Sequence, residues 1–295
     1  MDIVLQQVLN AISLGGIYAL LALGLAVVFS IVGLINFAHG ELMTVAGYAL
    51  FLGVLFAVPL PIAVTLAIGA AALAAVLTER LAFRPMRKAD ATSLLLTSFA
   101  VSAILRVLFQ NGISARPKPI PLPPALSGTV DLGPVHLGAV PLASIVVTGV
   151  SLAALTLFLK RTTMGQAMRA AAEDFQVLRL MGIRANRVIA VAFALSGALA
   201  GISAVLWVAQ RGSVDPLMGF VPVLKAFVAA VIGGLGSLPG AVAGGFVLGV
   251  SEVLFQAFLP EALLPFRDAF VLSVVIAILI WRPEGLIPAK SARRS

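Results

Sequence analysis

Long apolar runs separated by short polar breaks recur through the 295 residues of this chain. They cover about 11–34, 42–58, 62–81, 93–109, 142–159, 188–208 and 241–259, and a last run from Phe270 to Trp281 extends back to Phe266. A helix that crosses the hydrocarbon core of a bilayer needs ~20 apolar residues. Charged residues make up 11% of the chain and hydrophobic ones 61%, where a soluble domain is about 25% charged. Such a body has too little polar surface to cover itself in water, so its main solvent must be lipid. In lipid every backbone polar group is satisfied within the protein, which leaves helices or a closed barrel. A barrel needs alternating apolar and polar residues, whereas Val64 to Leu77 is continuously apolar and alanine-rich. The expected fold is an all-α membrane protein, a polytopic helical bundle of about eight to ten spans with broken helices, forming one domain over residues 1–295.

Two breaks stand out. Asn36-Phe37-Ala38-His39-Gly40-Glu41 interrupts the first third, and Gly233-Gly234-Leu235-Gly236-Ser237-Leu238-Pro239-Gly240 the last. The run before the second break, Val223 to Ile232, is too short to span alone. Transporters built from repeats place paired broken helices beside the solute path. Two ordinary turns at the membrane surface are the alternative, and no identity between the segments decides. The candidate path residues are Asn36, His39, Glu41, Gly234, Gly236, Ser237 and Gly240. His39 and Glu41 also suit the plainer task of tying down exposed backbone ends.

Sidedness follows from charge. Arg80, Arg84, Arg87 and Lys88, the basic residues of the 160–187 connection and those of the tail mark the cytoplasmic side. The proline-rich segment within 110–141 then lies outside the cytoplasm, with a short hairpin expected around Val130–Leu132 and Val135–Leu137. Counting crossings puts the N-terminus outside too. No basic stretch precedes the first run and no small-residue cleavage site follows it, which reads as a retained span. The net charge of +8 clusters between spans and is no nucleic-acid signal. Arg106 and Lys225 are expected to snorkel toward the interface, and Glu252 is a further ionisable residue within the apolar runs.

The 160–187 connection is polar yet helix-forming. Thr163 to Gln166 fits a capping box, Gly182 suits the residue that ends a helix, and Asn186 could cap the next. Met164, Met168, Ala171, Phe175 and Leu178 fall on one stripe. An amphipathic helix here either lies on lipid or docks a protein. The mixture of Glu173 and Asp174 with arginines and the small Ala170-Ala171-Ala172 run favour a protein.

Catalytic chemistry is not evident. There are no cysteines, hence no disulfide and no thiolate metal site. No G-x-x-x-x-G-K-[ST] occurs, so the chain cannot cradle a triphosphate in that way. His39-Gly40-Glu41 has the H-x-E of zinc deaminases without the required P-C-x-x-C. No metal site is expected.

Arg169-Ala170-Ala171-Ala172-Glu173-Asp174, with Gly182-Ile183 beyond it, resembles the coupling loop of ABC importer permeases, although alanines precede Glu173 and no Leu-Pro pair closes the motif. Asn36 to Met43 and Gly233 to Ala241 resemble the flanking signatures of the branched-chain amino acid permease family, H-type subunit. The resemblance covers nearly the whole chain. It implies the transmembrane permease subunit of an ATP-driven importer of branched-chain or related amino acids in a bacterial inner membrane. It also implies a second, M-type permease subunit, two cytoplasmic ATPases and an extracytoplasmic binding protein that delivers the solute. The chain itself would bind no cofactor, ATP being used by the ATPases. The coupling residues would be Thr163, Met164, Met168, Ala171, Ala172, Glu173, Asp174, Phe175, Leu178 and Gly182. An ion-coupled secondary transporter using His39, Glu41 or Glu252 is the competing reading, and it has no need of a docking helix. A membrane scaffold is a third, disfavoured by broken helices that line cavities.

Overall fold

The computed structural model describes residues 2–87, 89–121, 128–132 and 135–289, and the long apolar runs are helices in it. In chain order they are α1 (Asp2–Val32), α2 (His39–Leu55), α3 (Leu60–Thr78), α4 (Ala91–Gly112) and α5 (Ala139–Arg161), then α6 (Thr163–Glu173), α7 (Phe175–Leu180) and α8 (Ala185–Arg211), and finally α9 (Phe220–Gly233), α10 (Leu238–Phe258) and α11 (Arg267–Trp281). A π-helical turn, Glu79–Phe83, prolongs α3, and a 3-10 turn, Glu261–Phe266, leads into α11. Among the described residues, 7 helical segments are long and apolar enough to cross a membrane, and α2 and α9 are shorter apolar helices. The chain is a multi-pass, all-α membrane protein. Among the described residues there are four short strands: β1 (Lys118–Pro119), β2 (Thr129–Leu132), β3 (Val135–Gly138) and β4 (Ser213–Val214). β2 and β3 form the expected antiparallel hairpin, with Asp131 opposite His136. β1 pairs with β4, which ties the proline-rich segment to the turn after α8.

From Ser13 onward α1 is apolar on nearly every side because nearly every side is covered; Ile17 to Ala22 are almost wholly buried. A helix that is hydrophobic all round belongs in a core. Helix association in lipid gains little from the hydrophobic effect and depends on close packing by small residues. The sequence supplies them at helical spacing. Gly245 and Gly249 of α10 lie on α1 so closely that an added Cβ would sit 2.4 Å from Ala19 Cα and 2.3 Å from Gly15 Cα. α3 buries only Ala63, Ala67, Ala71 and Ala75, one residue every fourth position. Gly197 and Gly201 of α8 rest on that stripe, an added Cβ reaching 2.5 Å from Ala71 O and 2.9 Å from Ile68 Cα.

The helix ends sort by charge. The turns after α3, after α5 and after α11 carry the arginine-rich connections and fall at one end of the bundle. Gly236, beside Phe29 near the end of α1, lies there as well. The start of α1 is at the opposite end, where Gln6 is near Gly138 at the start of α5.

Candidate functional site

The first break is earlier than expected. α1 ends at Val32, and His39, Gly40 and Glu41 already belong to α2. Residues 33–38 fold back into the bundle. Gly33, at φ +70, turns the chain. Asn36 Oδ1 accepts a hydrogen bond from Ala38 N at 3.1 Å. His39 is fully buried against Gly24, where an added Cβ would come within 2.7 Å of the imidazole. Gly24 lies about 12 Å back along α1 at 1.5 Å per residue, so α2 starts well inside the apolar layer. His39 Nδ1 and Ser196 Oγ are 3.0 Å apart. Gly40 meets Gly219 backbone to backbone, with only 2.5 Å between an added Cβ and Gly219 O.

Irregular backbone at depth needs polar partners, and α4 supplies them. Ser98, Ser102 and Arg106 stand at i, i+4 and i+8, one polar row along the middle of α4. Ser98 Oγ accepts from Phe37 N at 3.3 Å. Ser102 Oγ donates to Glu41 Oε1 at 3.0 Å, and Arg106 Nη2 donates to the same oxygen at 3.2 Å. Arg106 also lies over the Phe220 ring, 4.6 Å from its centroid. It therefore reaches inward to a buried carboxylate, contrary to the expectation of snorkelling. Lys225 does the same, donating to Glu252 Oε1 at 2.6 Å. Arg267 approaches that oxygen at 3.2 Å, and Tyr18 donates to Glu252 Oε2 at 3.0 Å. A charge surrounded by apolar helices is expensive unless paired, so burial of Glu41 and Glu252 dictates where their cations point.

The second break comprises residues 234–237; Gly240 is within α10 and Gly233 ends α9. Gly234 and Gly236 have φ of +111 and +81, conformations closed to most side chains. Ser237 Oγ caps α10 by accepting from Gly240 N at 3.2 Å. The tail after α11 returns to this break: Leu286 N donates to Ile232 O at 2.8 Å and Ile287 N to Gly233 O at 3.0 Å, satisfying carbonyls at the end of α9. A small apolar recess opens between the two breaks, lined by Leu25, Phe29, Ile35, Phe227, Leu235 and Gly236, with Ala26 and Ala230. Above it Phe37 stacks on Phe99 with centroids 4.5 Å apart and tilts against Phe227 at 5.4 Å. The two breaks thus border one recess through Ile35 and Leu235, while Asn36 and His39 serve the backbone and the neighbouring helices.

The polar connection departs from expectation in four ways. The helix is capped by Thr162, not Thr163: Thr162 Oγ1 accepts from Gly165 N at 3.0 Å. It is two helices, α6 and α7, divided at Asp174 with extended backbone. The apolar stripe is turned inward. Met168, Ala171 and Leu178 are buried, with Met164, Ala172 and Phe175 packed beside them. Gly165 sits on the end of α5, where an added Cβ would lie 2.4 Å from Phe158 O. Gln166, Arg169, Ala170 and Glu173 are exposed, as are Leu180 and Met181 at 86% and 69%. Gly182 follows with φ +76. Asn186 is not a cap; it lies inside α8, and its Oδ1 accepts from Arg87 Nη1 at 2.6 Å. Arg87 also pairs with buried Glu79, which joins the α3–α4 connection to the start of α8.

Sequence reasoning missed the α4 polar row and the strap formed by Leu286 and Ile287. The row is visible as Ser98, Ser102 and Arg106 at helical spacing; the strap consists of backbone contacts and leaves no such signature.

A bundle packed around one largely buried helix, with its chain broken at 33–38 and 234–237, is a polytopic helical membrane protein. The profile of the family described as "Branched-chain amino acid transport system / permease component" matches residues 7–280. The chain belongs to this family. It is 34% identical over 96% of its length to the high-affinity branched-chain amino acid transport system permease protein BraD of Pseudomonas aeruginosa, covering 95% of that protein. It is 33% identical over 96% of its length to LivH of Escherichia coli K12, again covering 95%. Similarity extends to LivM of the same strain, at 30% identity over 92% of this chain and 68% of LivM.

Proposed function

We propose that this chain is a permease subunit of an ATP-driven importer for branched-chain or related amino acids, seated in a bacterial inner membrane with its arginine-rich end in the cytoplasm. Family membership across residues 7–280 carries the reading. The full-length likeness to BraD and LivH supports the substrate class. Likeness to both LivH and LivM supports a second, M-type permease subunit beside this one. Residues 1–295 act as one permease domain. Solute arrives from an extracytoplasmic binding protein, and two cytoplasmic ATPases drive the cycle; this chain has no nucleotide-binding loop of its own. The ATPase docks on the exposed side of α6–α7, around Arg169, Glu173, Leu180 and Met181. Thr163, Asp174 and Gly182 shape that unit, while Met164, Met168, Ala171, Ala172, Phe175 and Leu178 fasten it to the bundle. The two breaks border the solute path at the recess lined by Ile35, Leu235 and Gly236.

The test is uptake of labelled leucine into vesicles holding the full assembly, with ATP on the ATPase side, the binding protein opposite, and ionophores present. Uptake is expected to continue. Collapse of uptake with the ion gradient while ATP persists would replace this reading with ion-coupled transport. In the same assembly, replacing Leu180 and Met181 by Asp is expected to release the ATPases from a folded permease. ATPases that stay bound and coupled would remove the docking assignment.

A further inference from the structure

Resting on the import reading above, we propose that Glu41 and Arg106 form the point where this chain takes the charged end of a zwitterionic amino acid, with Phe37, Phe99 and Phe227 receiving its aliphatic side chain.

The first support is unfilled hydrogen-bonding capacity in a buried place. Glu41 is 1% exposed, and its Oε2 has no hydrogen-bond partner among the described residues; nor does Arg106 Nε. Both hydrogen bonds of Arg106, to Glu41 and Ser102, leave from Nη2. The Nε donor of the guanidinium is thus unused, and a guanidinium N–H to a carboxylate is a strong, charge-assisted hydrogen bond. A buried polar atom without a partner is costly, so a pair left incomplete on both members needs an explanation beyond holding the fold.

Charge selects the class of solute. Glu41 and Arg106 sum to zero. A second carboxylate alone would leave the cluster negative in a medium that penalises net charge, and an ammonium alone would leave it positive. A zwitterion leaves it neutral, with its carboxylate on Arg106 and its ammonium on Glu41 Oε2. Access comes from the Arg106 side, whose side chain is 24% exposed, whereas Glu41 lies behind it.

Spacing selects the rest of the solute. Phe99 precedes Ser102 on α4 by about 4.5 Å of helix rise, and Phe99 is 44% exposed beside half-buried Phe37 and Phe227. Charged pair and aromatic surface are thus about one helical turn apart, the reach of a short branched side chain. Burial of such a side chain against the rings removes apolar surface from water and favours binding.

The test uses a reporter cysteine, which is unique in this chain because it has none of its own. Ala103→Cys lies between Phe99 and Arg106 on α4 at an exposed position. In nanodiscs holding the full transporter, its alkylation by a water-soluble maleimide is followed by mass analysis of the α4 peptide. Leucine is expected to slow the reaction, while leucinamide and 4-methylpentanoate, each lacking one charge, do not at equal concentration. In Glu41→Gln/Arg106→Gln the leucine concentration needed for protection is expected to rise at least tenfold, and in Arg106→Lys by a smaller factor. Equal protection by all three compounds, or unchanged protection in the neutral double variant, would overturn the site. Should the double variant fail to assemble, Arg106→Lys, which keeps the charge pair, takes its place, and unchanged protection there overturns the site equally. Leucine uptake by the unsubstituted carrier is measured separately. Absent uptake in a folded assembly argues against amino-acid import itself, whereas uptake without the protection pattern argues against this site alone.

Discussion

α10 and α4 have nearly the same length, 21 and 22 residues, and comparable hydropathy, yet they are held in opposite ways. α10 is pressed into the bundle by Gly240, Gly244, Gly245 and Gly249, all buried in it. α4 shows most of its surface to the outside and buries only Leu94, Ser98 and Ser102. Close-packed small residues give a seam that cannot shift without overlap. A row of hydroxyls and one guanidinium gives a tether whose partners can be exchanged. Hydropathy states that both helices cross the membrane; only the spacing of small and of polar residues states how each is attached.

The seam is the more fragile of the two. Gly249→Leu places a side chain where even a Cβ would be 2.3 Å from Gly15 Cα. That exceeds the ~1–3 kcal/mol usual for overpacking, and no folded, monodisperse protein is expected in detergent. Gly69→Leu is the control. Nothing lies within 4 Å of that position, and the melting temperature is expected to hold or rise, since Gly weakens a helix by about 1 kcal/mol relative to a good helix former.

The tether should yield less. Ser98→Ala removes the acceptor for Phe37 N and leaves a buried donor unpaired, at a cost of about 1–3 kcal/mol. Folded protein is expected with a lowered melting temperature. A Ser98→Ala chain as unstable as Gly249→Leu would show that the tether is part of the seam. The smallest effect belongs to Asp90, which caps α4 by accepting from Ser93 N at 3.4 Å. The Ser93 hydroxyl, followed by backbone donors, holds the Asp90 carboxyl below its usual pKa. A depressed carboxylate stabilises above the unfolded value and loses that contribution as pH falls through the folded one. The stability gap between wild type and Asp90→Ala is therefore expected to be present at neutral pH and to close below about pH 4. Melting curves across pH check this, and a gap that widens on acidification would contradict it.

Much of the bundle is legible in the sequence. The apolar runs locate the spans, and the G-x-x-x-G spacings at 197–201 and 245–249 mark helix contacts. What escapes is direction. The stripe from Met164 to Leu178 announces an amphipathic helix, but periodicity gives a face and not its partner; Leu159 and the end of α5 prove to be under it. Arg106 and Lys225 look like interface residues because the carboxylates they meet, Glu41 and Glu252, are distant in sequence. Polarity alone puts the first break too late, at 36–41 instead of 33–38, because Gly40 and Glu41 look polar enough to lie outside a helix. Gly40 is there for contact with Gly219, and Glu41 for contact with Ser102 and Arg106.

On the proposal above, labour is divided within one bundle: the glycine seams hold it together, Ser98 tethers α4, and Glu41 with Arg106 serves passage of the solute. Glu41→Gln/Arg106→Gln separates the two roles, because neutralising both members removes the charges without stranding one of them; replacing a buried pair is often near neutral for stability. Melting temperature and ATP-driven leucine uptake are to be measured on the same reconstituted assembly. The expected result is a melting temperature within a few degrees of wild type and uptake reduced at least tenfold. Wild-type uptake, or a collapse in stability that accounts for the loss, would contradict that division.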